Sequence, residues 1–254
     1  MDHMEETLKL PSGELDNIAG IIVEPVQGAE GMIVPPPGFY RRLREMADKL
    51  GVLLIFDEIF TGMGRTGEFF AFEHEGIVPD IVILGKALGG GLPITLVATR
   101  RDISRSFPPL RQTSTFSAHP LASSTALATL EIIENENIIS SAQKMGDYLI
   151  DKLRKLQNNF PLIGQVRGRG MMIGVELVLD KDKSPASKEA KKFVDMAKEE
   201  GLILLSGGNL GNVLKITPPL NLTIEQADFV IEKIEKILIK LKGEVVSDES
   251  CIVG

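Results

Sequence analysis

Two apolar runs in this chain end on residues that can do chemistry. "GVLLIFDEI" (51–59) runs into Asp57-Glu58, and "PDIVILGK" (79–86) runs into Lys86. An amine is a nucleophile and a proton carrier; a carboxylate fixes a positive charge beside it. In a parallel sheet, residues just past the C-terminal ends of neighbouring strands meet at one edge, and ligands bind there. The stretch between the two runs leaves room for a crossover. Asp57 and Lys86 are therefore expected to face one pocket.

Two readings fit such a pair. One is a structural ion pair or a surface lysine, which is common. The other is pyridoxal phosphate chemistry. There a lysine forms a Schiff base with the cofactor aldehyde, and a carboxylate keeps the pyridine nitrogen protonated so that the ring is an electron sink. Gly89-Gly90-Gly91, directly after the lysine, would let the backbone pass close to the cofactor.

The elements that must position these residues are legible as patterns. "IAGIIVE" (18–24) is a short apolar run ending at Glu24-Pro25, and "ITLVATR" (94–100) is a further candidate strand. In "GFYRRLREMADKL" (38–50) Phe39, Leu43, Met46 and Leu50 have helical spacing. Strands apolar on both faces with helices between them predict a mainly parallel α/β sheet. Helices are predicted over 119–136, with proline near the first turn, over 138–158, and over 187–201, ending at glycine. A Thr-x-x-Gln capping box opens another over 223–242. From 166 to 180 the pattern alternates and glycines punctuate it; "LILLS" and "VLKITPPL" read as strands. The expected organisation is a first domain over 1–140, a small α+β domain over 141–243 and a flexible tail over 244–254.

Composition excludes several classes. With 254 residues, 43% of them hydrophobic, the chain can bury a sizeable core. Its net charge of −7 and scattered basic residues argue against nucleic acid as a partner. No apolar run reaches the ~18 residues a membrane span needs, and the acidic start "MDHMEETLKL" lacks the apolar core of a signal peptide. Cys251 is the only cysteine, so no internal disulfide or thiolate zinc site can form; a reducing, cytoplasmic setting is expected. His3, His74 and His119 lie far apart, against a histidine metal centre, and no metal site is expected. "GMGRTG" (62–67) matches G-x-G-x-x-G, but acidic Asp57 and Glu58 precede it and no clear helical face follows, so it is not read as a dinucleotide loop.

Four stretches together resemble the class III (ω-amino acid type) aminotransferases, pyridoxal phosphate enzymes of fold type I. They are "IIVEPVQGAEG", "LLIFDEIFTGMGRTGEFFAFEHEGIVPDIVILGKALGGGLP", "TFSAHPLA" and "VRGRGMMIGVEL", in order across residues ~18–242. The resemblance implies the C-terminal part of a fold type I pyridoxal-phosphate-dependent transferase: a partial large-domain sheet plus a small α+β domain. It implies amino transfer from an amine or amino acid to a 2-oxo acid, with Lys86 as Schiff-base lysine and proton shuttle and Asp57 on the pyridine nitrogen. Thr115 would donate its hydroxyl to the cofactor phosphate of the partner subunit in a homodimer. Arg167 would grip a substrate carboxylate, where a guanidinium fork fits. Glu58 and Arg65 would shape the loop, and His119 would start a helix. A racemase of the same fold, using the same Lys86, is the alternative, as is a truncated non-catalytic chain.

The sequence departs from the family pattern in four ways. Members carry a further ~150–200 residues before "IIVEP", about one domain's worth, so a truncated chain with an open apolar sheet edge is expected. Where many members have Gln reaching the cofactor's ring hydroxyl, this chain has Phe60. Where members that alternate between ω-amines and glutamate have Glu after "VQG", it has Ala29, with Glu30 next. Near the "PPL" strand it has Lys215 in place of a frequent arginine.

Overall fold

The structure is a computed structural model and describes residue 6, 18–108, 111 and 114–250. The chain divides into two compact units, one of Met1–Pro25 with Pro35–Ile139, the other of Val26–Val34 with Ser140–Gly254.

In the first unit, β1 (Gly20–Val23), β2 (Leu53–Asp57) and β3 (Ile81–Leu84) are parallel neighbours, and β4 (Leu96–Thr99) pairs antiparallel with β3. The direction of β4 was not legible, because a run of apolar residues carries no polarity. β1 and β4 are the edges, and they leave Ile22, Leu96 and Val97 exposed.

Helix α1 (Phe39–Leu50) buries Tyr40, Leu43, Met46 and Ala47 against Ile21, Leu54 and Phe56 of the sheet. Gly51 ends it at φ 67°, a left-handed position that glycine takes without strain. The Tyr40 hydroxyl donates to the carbonyls of Glu24 (2.7 Å) and Pro25 (3.0 Å), tying the helix to the chain leaving β1.

Asp80 is the polar anchor of this unit. It is 7% exposed, just before β3. Its Oδ2 accepts from Leu54 N–H (2.8 Å) and Arg44 Nη1 (2.7 Å), and its Oδ1 pairs with Arg100. Burial alone would raise its carboxyl; the Leu54 N–H, Arg44 and Arg100 outweigh that and hold it below the ordinary range. Asp80→Ala is expected to cost about 3 kcal/mol, because two guanidinium groups and a β2 amide lose one shared acceptor. A urea melt monitored by circular dichroism checks it, and a loss under 1 kcal/mol would contradict it. The depressed carboxyl adds stability above its unfolded range and surrenders it as acid titrates it, so the Asp80 contribution should vanish at low pH.

Helices α2 (Arg101–Ser106) and α3 (Pro120–Asn135) complete the unit. His119 is the N-cap of α3, with proline at its first turn. α2 was not read from sequence; six residues carry too little periodicity.

The second unit has an antiparallel sheet of β5 (Ile163–Arg169), β6 (Met172–Leu177), β7 (Leu205–Gly207) and β8 (Val213–Ile216), in the order β5-β6-β8-β7. Helices α4 (Ile138–Asn159), α5 (Ser187–Glu199) and α6 (Ile224–Ser250) bury their apolar stripes in its core, through Leu149, Leu153, Phe193, Ile234 and Leu238. Each such side chain contributes about 1.5–3 kcal/mol of burial. A Cβ at Gly146 of α4 would lie 2.3 Å from the Gly170 carbonyl, so α4 can approach the β5–β6 turn only with glycine there. The predicted capping box forms: Thr223 N–H donates to Gln226 Oε1 (3.0 Å) and Gln226 N–H to Thr223 Oγ1 (3.3 Å). α6 runs on to Ser250, past the 242 expected, where a flexible tail was predicted from 244. No proline stops it there, and each added residue gains one backbone hydrogen bond. Residues 251–254 of that tail lie outside the described residues.

Segment 26–34, read from sequence as part of the first domain, belongs to the second unit. It folds back on itself through Gln27 and Ile33 (3.0 and 3.1 Å). Gly208 N–H donates to its Ala29 carbonyl (3.1 Å). Among the described residues, no helix is long and apolar enough to cross a membrane.

Candidate functional site

Asp57 closes β2, and its register partner is Ile83 of β3. Lys86 begins the 3₁₀ turn Lys86–Gly89 directly beyond β3. Parallel pairing therefore delivers carboxylate and amine to the same edge of the sheet, past the C-terminal ends of adjacent strands. Asp57 is half-buried, and its Oδ1 accepts Ile59 N–H (3.0 Å), which fixes the carboxylate's rotation.

Lys86 is exposed and sits at φ 44°, a left-handed backbone that costs a non-glycine residue about 1–2 kcal/mol. The turn is tied by Leu88 N–H to Gly85 O (3.0 Å) and Gly90 N–H to Ala87 O (3.1 Å). Its ammonium lies 4.2 Å from the centroid of the Phe60 ring. Among the described residues it pairs with no carboxylate. The glycine run serves packing as well: a Cβ on Gly90 would meet Thr129 Oγ1 of α3 at 2.8 Å.

Glu58 is 1% exposed and organises the loop that follows. Thr61 Oγ1 donates to its Oε2 (2.5 Å), Phe72 N–H to its Oε1 (3.0 Å) and Gly62 N–H to its carbonyl (3.0 Å). Burial pushes its carboxyl up, against the pull of those hydrogen bonds. A Cβ at Gly62 would come 2.9 Å from the Glu58 carbonyl, so that glycine keeps the turn tight. Arg65, in the same loop, is lowered to about 10 by burial. The "GMGRTG" stretch is thus a packed turn held from inside by Glu58, and it opens no helix.

Thr115 is exposed at the head of the turn 115–118, which Ser117 N–H to Ser114 O (3.1 Å) closes.

Arg167 lies on β5 in the second unit. Nε donates to the Gly31 carbonyl (2.8 Å), and Nη1 donates to Gln165 Oε1 (2.7 Å) and pairs with Glu176. Gln165 faces Glu176 across the β5–β6 hairpin, two pairs along from Arg167 and on its face. The guanidinium therefore holds segment 26–34 to the sheet. Sequence reasoning missed Gln165 and Glu176; the signal was the two-residue step from Gln165 to Arg167 and the hairpin that places Glu176 opposite. Beside them is a cavity of about 400 Å³ lined by Glu30, Gln165, Arg167, Glu176 and Asn212. Glu30 Oε2 is buried there with no hydrogen-bond partner among the described residues.

A lysine and a carboxylate on one edge, with a strained backbone under the lysine, suit a cofactor carrying both an aldehyde and a basic ring nitrogen. The donor chemistry of Lys86 and Asp57 fits pyridoxal phosphate. Among the described residues no cluster of His, Cys, Asp and Glu could hold a metal ion.

Comparison with known proteins places this fold among the pyridoxal-phosphate-dependent aminotransferases. The profile of the class III aminotransferases matches residues 2–238, and the chain belongs to that family. It is 44% identical over 236 residues to the leucine/methionine racemase of Thermococcus litoralis, covering 92% of this chain and 53% of that one. It is 39% identical over 243 residues to the ornithine aminotransferase of Staphylococcus carnosus, covering 92% and 58%. The ornithine aminotransferase structure from Toxoplasma gondii, which holds pyridoxal phosphate at partial occupancy, superposes with a TM-score of 0.85 at 35% identity, over 95% of this chain and 54% of that one. The chain spans about half the length of the curated relatives it matches.

Proposed function

We propose that the protein is an aminotransferase that moves an amino group from an amine or amino acid to a 2-oxo acid with pyridoxal 5'-phosphate. The observation that carries this is Lys86 and Asp57 at the adjoining C-terminal ends of β2 and β3, in a chain of this family. When bound, the cofactor supplies an electron sink that stabilises negative charge at the substrate Cα.

Lys86 Nζ would hold the cofactor covalently and, once displaced by the substrate amine, carry the proton from Cα. Asp57 would hold the proton on the ring nitrogen. Thr115 would give its hydroxyl to the phosphate bound by the partner subunit of a homodimer, a symmetric pair sharing two sites. Arg167 would bind a substrate carboxylate; with Nε and Nη1 committed, that contact falls to Nη2.

The relative of highest identity quoted above is a racemase, which favours a second reading with the same Lys86. A racemase inverts Cα without an oxo-acid acceptor. Incubating the holoenzyme with a single L-amino acid and no acceptor separates the two: D-isomer over many turnovers supports racemisation, whereas a single equivalent of 2-oxo acid per site, with turnover only when an oxo-acid acceptor is added, supports transfer. For either reading, borohydride reduction in the presence of pyridoxal phosphate, followed by peptide mapping, should leave the pyridoxyl group on Lys86. A label confined to another lysine would refute the assignment.

A further inference from the structure

We propose that Phe60 is a positioning residue for Lys86: the face of its ring holds the ammonium and sets where the amine waits before it reacts. The inference deepens the reading of Lys86 as the reactive lysine and rests on it for its importance, though not for its test.

The lysine backbone is fixed twice over. Gly85, buried and extended, delivers it from β3, and the 3₁₀ turn holds it at φ 44°. The side chain is another matter, because a lysine has four rotatable bonds and a fixed Cα leaves its amine free to sweep a wide arc. Something must gather it. No carboxylate does so among the described residues, and Asp57 has turned Oδ1 into the Ile59 N–H. The Phe60 ring does, at 4.2 Å, well inside the ~6 Å over which a ring face attracts an ammonium.

The ring is itself held. Phe60 is half-buried between Ile59, whose N–H is bonded to Asp57, and Thr61, whose hydroxyl is bonded to buried Glu58. One rigid turn, 57–62, thus presents both the carboxylate and the ring. The strength of the hold also suits the task. A close carboxylate would lock the amine as a salt-bridged cation. A ring face orients it but releases it easily, which a nucleophile that must change partners in every turnover requires.

The test reads the amine without any cofactor. In trace labelling of the cofactor-free chain with acetic anhydride, Lys86 is quantified by peptide mass spectrometry against exposed Lys181. Phe60→Leu keeps apolar bulk and loses the ring face; its Lys86 should label about two- to fivefold faster than in the unmodified chain, the factor a cation–π contact at an exposed site is worth. Phe60→Tyr keeps the face and should label like the unmodified chain. Equal rates in all three, or equal acceleration by Leu and Tyr, would overturn the proposal, the second outcome pointing to packing alone. Should the leucine variant fold poorly, the unmodified chain decides: the Lys86 ε-methylene protons should be shifted upfield of other lysines by the ring current, and an unshifted resonance refutes the contact. A failed borohydride trap would sink the role of Lys86 and leave these readouts unmoved, so the two failures are distinguishable.

Discussion

Replacing Lys86 with alanine is expected to abolish amino transfer and leave the fold intact. The residue is exposed, and among the described residues its side chain is held by a single ring contact. Truncating it costs stability within about 0.5 kcal/mol, as for surface positions generally. Its φ of 44° strains alanine as it strains lysine, so the backbone term cancels. The chemical loss is of another order. In the proposed role a positioned proton-transfer group supplies about 10²–10⁴ in rate, and the covalent hold on the cofactor would be lost with it. The holoenzyme should fall at least ~10⁴-fold in kcat, about 5.5 kcal/mol of transition-state stabilisation. Steady-state rates with an amine donor and a 2-oxo acid, beside a thermal melt, measure both halves. A variant within tenfold of the unmodified rate would remove Lys86 from the chemistry, and a collapsed melt would make it structural instead.

How much of this was legible before the structure depends on the range of the forces involved. The positions of Asp57 and Lys86 at adjacent strand ends were readable because a buried strand is a local pattern, and the chain must leave the core where it ends. The Thr223–Gln226 box was readable for the same reason, since its bonds span one helical turn. The ion pair of Arg167 was not, because its acceptors come from Gly31 and Glu176, and only the β5–β6 hairpin and segment 26–34 bring them in. Nor was that segment's place in the second unit. It is decided by close packing, where a Cβ on Gly174 would lie 2.8 Å from the Gly31 carbonyl. Asp80 carries no signal of its own in "PDIVIL"; its anchoring role appears only when Arg44, Leu54 and Arg100 converge on it. The contact between Phe60 and Lys86 joins two loops that share no sequence pattern at all.

Asp57→Asn should reduce kcat of the holoenzyme by about 10³-fold, roughly 4 kcal/mol, while the fold and the turn at 57–62 persist. The substitution is chosen because it separates two duties of one side chain. The structural duty is the hydrogen bond from Ile59 N–H to Oδ1, and an asparagine carbonyl accepts it equally well. The proposed electrostatic duty would be to hold a proton on the cofactor's ring nitrogen, which needs a full negative charge. An amide at that position offers a dipole, and rotated it presents a donor to a nitrogen that must itself stay protonated. Asp57→Ala removes both duties. It should match the rate loss of Asn and add about 1 kcal/mol of destabilisation for the orphaned amide. The pair of variants therefore makes the assignment testable on two axes. Equal melts for Asn and the unmodified chain with a thousandfold rate loss support the electrostatic role. A rate within threefold for Asn, with loss only for Ala, would show that Asp57 merely shapes the turn that carries Phe60.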